Sequence, residues 1–327
     1  MILNPLKGER TMTELLTNSA KPDRFFTKLR SFATAVYEPK LHIAFALLWA
    51  ISLQAGFFAI SDRQLSWSAL LDGIITGFCF FLILFFLRII DEIKDYEYDK
   101  QFKPDRPLVI GTVNFVDAKR FAVLVAAGAI AINSFLDWRL ALLALVNMLY
   151  SVFLLYLERW SSLVKNSSVV NLIVTFPVSA FLNVYALFLF VWQDRLVYTA
   201  TMNWLIFAYI CAFLHFDVGR KTIWPHLTES GEQVYSQEIG GIGSAILALI
   251  LALAACGVPL LLHQPWEDSG LAAVIAWSML LPLIASIAGS IEFIYTRDRR
   301  YNPRLFYVIF LILYYLTELI TAQLDRT

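Results

Sequence analysis

The chain has 327 residues, of which 59% are hydrophobic and only 16% charged, with 26 Lys plus Arg against 26 Asp plus Glu. A soluble domain is about 45–50% apolar and about 25% charged, so this composition, with a mean hydropathy of +0.65, belongs to a chain dissolved mainly in lipid. The cancelled charge argues against a nucleic-acid binder, which carries an excess of basic residues. Cys79, Cys211 and Cys256 each lie in an apolar run without a CxxC spacing and read as small buried apolar groups.

Residues 1–40 lack the apolar core of a cleavable signal. Residues 1 to 22 read as a disordered polar tail. From Asp23 to Tyr37, Phe25, Phe26, Lys28, Arg30, Phe32 and Tyr37 alternate aromatic and basic character, as in a short helix lying at headgroup level. Beyond residue 40, a span needs roughly 20 mostly apolar residues. Nine stretches qualify: Leu41 to Ile60, Ser68 to Ile90, Arg120 to Phe135, Leu140 to Leu157, Val169 to Trp192, Tyr198 to Phe216, Ile242 to Leu262, Leu271 to Ile291 and Leu305 to Leu324. The third and sixth are short or polar. With the N-terminus on the cytoplasmic side, 22 basic residues fall inside and 4 (Arg63, Arg139, Arg195 and Arg326) outside. That bias predicts nine crossings with the N-terminus in and the C-terminus out. The expected fold is therefore an all-α membrane protein, with residues 41–327 as one nine-helix domain.

Two inner loops carry the chemistry. The first places Asp91, Glu92, Asp95 and Asp99 at the end of the second span. If the helix continues, their spacing puts all four on one face, where like charges repel unless a cation bridges them. Oxygen-only donors suit Mg²⁺ sharing its shell with substrate phosphate oxygens. Lys103-Pro-Asp-Arg106-Pro107 follows at once and can return two cations to the carboxylates, as a diphosphate requires. The second loop, from His215 to Ser236, holds Asp217, Arg220, Lys221, His226 and Glu229. It reads either as Asp217 in an ion pair one turn long with Arg220 and Lys221, or as a second metal site of Asp217 with Glu229. Asn147, Tyr150, Asn171, Asn183, Tyr185 and His215 are polar groups in or near spans, as acceptor contacts or as glue between helices.

Asp91-Glu-Ile-Lys-Asp95-Tyr-Glu-Tyr-Asp99 with the following Lys103-Pro-Asp-Arg106-Pro107 resembles the first aspartate-rich motif of the UbiA-type membrane prenyltransferases, NDxxDxxxD before an Arg-Pro segment. Asp91 stands where that family has Asn and Glu92 where it has its first Asp. Tyr150-Ser151 in the fourth span and Tyr235-Ser-Gln-Glu-Ile-Gly240 before the seventh also look like family segments. The second motif departs, since Asp217 is its only Asp and Glu229, Glu232 and Glu238 come late.

The resemblance implies helices around a central lipid-open cavity, a multi-pass protein of a bacterial cytoplasmic membrane with its site on the cytoplasmic side, and a prenyltransferase that ionises an isoprenyl diphosphate and passes the prenyl group to a lipophilic, often aromatic, acceptor. Its implied partners are those two substrates and membrane lipid, without nucleic acid or an obligate protein partner. Glu92, Asp95 and Asp99, supported by Asp91, would hold Mg²⁺ and diphosphate, with Lys103, Arg106, Arg220 and Lys221 as phosphate clamps. A terpene cyclase using the same ionisation is the near alternative. A CDP-alcohol phosphotransferase would need a DGxxAR run that the chain lacks. A transporter would place charges at span midpoints, where Glu318 is the clearest example.

Overall fold

The computed structural model describes residues 22–61, 63, 67–193 and 195–324, which form helices and, among the described residues, no strand. The early charges Lys7, Arg10 and Lys21, the acidic Glu9 and Glu14, and Arg326 lie outside the described residues.

Helix α1 (Pro22–Val36) is the predicted amphipathic segment. Phe32, Val36 and Tyr37 are buried, the Lys28 ammonium lies 2.6 Å from Asp117, and the Tyr37 hydroxyl donates to the Phe81 carbonyl at 2.8 Å. The long helices follow: α2 (Pro39–Ala59), α3 (Trp67–Lys94), then the short α4 (Tyr96–Phe102), α5 (Phe115–Leu136), α6 (Trp138–Trp160), the short α7 (Ser162–Asn166), α8 (Ser168–Trp192), α9 (Thr201–Arg220), α10 (Ser236–His263), the pair α11 (Gly270–Trp277) and α12 (Leu281–Tyr295), and α13 (Arg304–Leu324). Eight of these units are long and apolar enough to cross a bilayer, α11 and α12 counting as one. The protein is thus an integral, multi-pass membrane protein.

All nine expected stretches are helical, and α5 is the one outside the eight. It starts earlier than expected, capped by Asn114, whose side chain accepts from the Asp117 amide at 2.8 Å. The first turns bear Asp117, Lys119 and Arg120, so its uncharged stretch from Phe121 to Leu136 spans only about 24 Å. The eighth stretch is broken: a 3-10 turn at Ser278–Leu280 separates α11 from α12, and Pro282, lacking an amide hydrogen, stands at the start of the new helix. At the head of α10, Gly240 has φ 76° and kinks the helix, a backbone region open mainly to glycine.

Neighbouring helices close a ring in the order α2, α3, α5, α6, α8, α9, α10, α12, α13 and back to α2. Aromatic side chains pack against one another between the helices of this ring. Trp49 stacks on Phe213 at 5.6 Å and Tyr315 at 6.2 Å and meets Phe80 edge-on at 5.2 Å. Its indole N–H donates to Asn183 Oδ1 at 2.9 Å. The outer surface exposes Val123, Phe135, Leu149, Phe153, Leu253 and Ile284, as a lipid-facing wall should.

At Gly77 the missing side chain makes room for a neighbouring helix. A Cβ on Gly77 of α3 would lie 2.8 Å from the Leu47 backbone of α2, whereas one on Gly128 of α5 would meet nothing within 4 Å. Gly77→Ala is therefore expected to destabilise the bundle by about 1–3 kcal/mol, read as a lowered melting temperature in detergent, while Gly128→Ala leaves it unchanged or raises it slightly.

Candidate active site

The first acidic loop keeps helical hydrogen bonding past the end of α3. Asp95 N–H donates to the Asp91 carbonyl at 2.8 Å, Asp99 N–H to Asp95 at 2.7 Å, and Lys103 N–H to Asp99 at 2.8 Å. Asp95 itself departs from helical geometry and starts α4 afresh. The four carboxylates consequently divide into two pairs rather than sharing a single face. The Glu92 and Asp99 side chains are 1% and 3% exposed. Glu92 is held by Arg88 and, at 3.4 Å, by Arg106, and Asp99 by Lys103 at 3.3 Å. Arg88 is anchored in turn by its bond to the Val36 carbonyl at 3.0 Å.

Asp91 and Asp95 are partly exposed and turn toward Lys94. That ammonium lies 3.5 Å from Asp91, 3.7 Å from Asp95 and 3.0 Å from Glu158 of α6, and Glu158 also accepts from Asn171 of α8 at 2.7 Å. Lys94 thus joins three helices. Burial pushes the Asp95 carboxyl up to about 6, with Asp91, Glu158 and Asp99 adding to the rise and Lys94 opposing it. Glu158 was not singled out from sequence; its signal was a carboxylate closing an apolar span, next to Arg159.

In the second loop Asp217 forms the ion pair weighed above, 2.5 Å from Arg220 and 3.9 Å from Lys221. The Tyr235 hydroxyl also donates to it at 2.5 Å. Glu229 does not join this cluster. It lies 3.4 Å from Arg300, which also holds Glu232 at 2.5 Å. Glu238 accepts from Ser167 at 2.6 Å and from the Ser168 amide, and His226 donates to the Arg297 carbonyl at 3.0 Å. Trp224 pins the loop by stacking on Phe293 at 4.9 Å and donating to its carbonyl at 3.0 Å. Burial lowers the Lys221 ammonium, with Asp217 and Asp95 pulling it back up and Arg220 and Lys94 pushing it down. Burial also raises the Tyr235 hydroxyl, and Asp217 raises it further.

Lys221 therefore senses charges from both loops, which meet at one end of the ring. Gln101 of α4 donates to the Ser230 carbonyl at 3.4 Å, and Gly231 faces the Phe102 ring. The joint arrangement is a floor of carboxylates ringed by Lys94, Lys103, Arg106, Arg220 and Lys221.

Among the described residues no three His, Cys, Asp or Glu side chains converge to cage a metal by themselves. Glu92 Oε2, however, is buried without a hydrogen-bond partner, and such an orphaned acceptor is costly. A donor set of oxygens, too few to complete a shell, fits an ion that retains waters and takes phosphate oxygens, as Mg²⁺ does.

The candidate acceptor contacts are bonded to neighbouring helices. Asn147 donates to the Val178 carbonyl at 3.3 Å and Tyr150 to Val174 at 2.7 Å. Asn171 and Asn183 serve Glu158 and Trp49. Tyr185 donates to Asn133 at 2.6 Å, and His215 Nδ1 to Ala248 at 2.9 Å, leaving its Nε2 without a partner. Glu318 lies 3.3 Å from His263, a bond between α10 and α13.

No protein-family model matches the chain, and no curated protein does. Solved structures do. One, from a study of digeranylgeranylglyceryl phosphate synthase in membranes, is 16% identical, with a TM-score of 0.59 over 91% of this chain and 99% of that one. Another, the ligand-free UbiA homologue from Aeropyrum pernix K1, is 14% identical, with a TM-score of 0.54 over 84% of this chain and 94% of that one. Nearly the whole length of each is matched at identities too low to carry a residue's role across, and what they establish is architecture: the chain has the UbiA-type fold.

Proposed function

We propose that the protein is a membrane prenyltransferase that uses an isoprenyl diphosphate, and that its site faces the cytoplasm in an N-in, C-out arrangement of nine spans. The observation that carries the reading is the meeting of the two charged loops over one end of a ring of helices rich in packed aromatic side chains. Carboxylates and basic side chains already paired with one another there suit a ligand that brings both metal and phosphate, each new charge replacing an existing partner.

Glu92, Asp95 and Asp99, with Asp91 beside them, would hold Mg²⁺, and Asp217 would hold the opposite rim through Arg220 and Lys221. When bound, the metal supplies charge stabilisation for the departing diphosphate. Lys103 and Arg106 move their charge from Asp99 and Glu92 to the phosphate oxygens, a short transfer because each already lies within 3.4 Å of its carboxylate. Arg220 offers a planar fork for bidentate contact, and Lys221 a point charge. Tyr235 fixes Asp217 so that these two cations keep their place. The aromatic interior excludes water and presents π faces to the allylic cation. Lipophilic acceptors enter from the bilayer.

In membranes supplied with a labelled prenyl diphosphate and Mg²⁺, Asp95→Asn is expected to abolish diphosphate release, as is EDTA; undiminished turnover in either case overturns the metal assignment. Arg106→Ala should lower the rate by about 100-fold, the scale of losing one charge-stabilising donor. Glu229→Gln, whose partner is Arg300, should leave turnover within about twofold of the parent, whereas Asp217→Asn should lower it by about tenfold or more.

One observation favours a second reading, a terpene cyclase of the same fold. Asn147, Tyr150, Asn171 and Asn183 already spend hydrogen bonds on neighbouring helices, which leaves few polar groups to orient an acceptor. Product analysis from one prenyl diphosphate, with and without an aromatic acceptor, separates the two: a cyclic hydrocarbon or alcohol formed without acceptor identifies the cyclase.

A further inference from the structure

α5 buries Phe121, Ala122, Val125 and Ala129 against a bundle in which it packs on α3 and α6. Its other face carries Val116, Lys119, Arg120, Val123, Leu124 and Ala127, which line a shallow groove of about 480 Å³. Their spacing follows a single helical stripe. Among the described residues, neither Lys119 nor Arg120 has an ion-pair or hydrogen-bond partner. The nearby carboxylate, Asp117, is buried and spent on Lys28. Two positive charges therefore stand above the apolar Val123, Leu124 and Ala127 with no counter-ion among the described residues.

The groove's dimensions point to its occupant. From Arg120 to Ala127 is about 10 Å of helix, which lies within the roughly 15 Å of one leaflet of a 30 Å hydrocarbon core and so meets the upper part of an acyl chain whose headgroup is held at the charges. Val123 and Leu124 are exposed on a helix embedded among membrane-spanning neighbours, so the surface they face is lipid. Because the uncharged part of α5 is short for a bilayer, Lys119 and Arg120 sit where their stems lie along acyl chains and their charged ends reach headgroups.

We propose that this face of α5 binds one anionic phospholipid, its phosphate between Lys119 and Arg120 and an acyl chain along Val123, Leu124 and Ala127. A zwitterionic lipid presents its own ammonium to the same cations, so an anionic headgroup is favoured. The assignment is independent of the proposed reaction, since none of these residues belongs to the two charged loops.

The test uses the purified full chain in neutral detergent, with phosphatidylglycerol or phosphatidylcholine added, read by native mass spectrometry and by melting temperature. Phosphatidylglycerol is expected to be retained about tenfold or more over phosphatidylcholine, on the scale of two basic residues at an anionic surface, and to raise the melting temperature. The K119Q/R120Q double variant should lose that preference while melting like the parent without lipid. Ala127→Trp, which fills the groove floor, should weaken retention with both charges intact. Equal retention by the parent, an undiminished preference in K119Q/R120Q, or full retention by Ala127→Trp overturns the proposal. So does a melting shift reproduced by inorganic phosphate alone, or a lower lipid-free melting temperature in K119Q/R120Q.

Discussion

A carboxylate taken out of water at a membrane face must be neutralised, and at the end of α3 that requirement organises the molecule. Glu92, 1% exposed, draws Arg88 from its own helix and Arg106 from the segment beyond α4. Lys94 answers the same demand on the other side and, through Glu158 and Asn171, ties α3 to α6 and α8. Removing one partner from a buried pair exposes the other to the full desolvation cost. The charged end is therefore held by mutual compensation, and a ligand that supplies new charges of both signs can exchange with it at little net cost.

The second loop follows the same rule with the opposite balance. Asp217 is enclosed by Arg220, Lys221 and Tyr235, leaving positive charge in excess beside the first loop's carboxylates. Attraction between the two ends supports the hydrogen bond that Gln101 makes to the Ser230 carbonyl. Farther from the site, Arg300 gathers Glu229 and Glu232 and steadies the outer part of the same loop.

Most of the helix layout was legible in the sequence, because burial in lipid demands long apolar runs and few other patterns supply them. The departures have local causes. Pro282 splits a run whose hydropathy is uninterrupted, and Asn114 starts α5 ahead of its apolar stretch. In the charged loops the residue types were readable but not their partners. Heptad spacing placed Glu92 with Asp99, yet the break at Asp95 turned Asp91 and Asp95 toward Lys94. Glu229 looked available to Asp217 until Arg300, some seventy residues away in the chain, proved to be its neighbour. Glu158 and Tyr235 act across helices, and such pairings follow from the ring's closure, which no local pattern encodes.

That closure has an order along the chain. α2 packs against α13, so the first and last long helices of the ring are neighbours, and the stack on Trp49 is completed by Tyr315 from α13. In chain order the ring closes only with α13, which brings Tyr315 against Trp49 and, at 5.5 Å, against Tyr209 of α9. Both charged loops precede α13 in the chain, but the Asn302 side chain that caps the Arg220 carbonyl and the Arg300 that steadies Glu232 arrive only with it. The charged end is thus completed by groups that follow its own acidic residues in the chain.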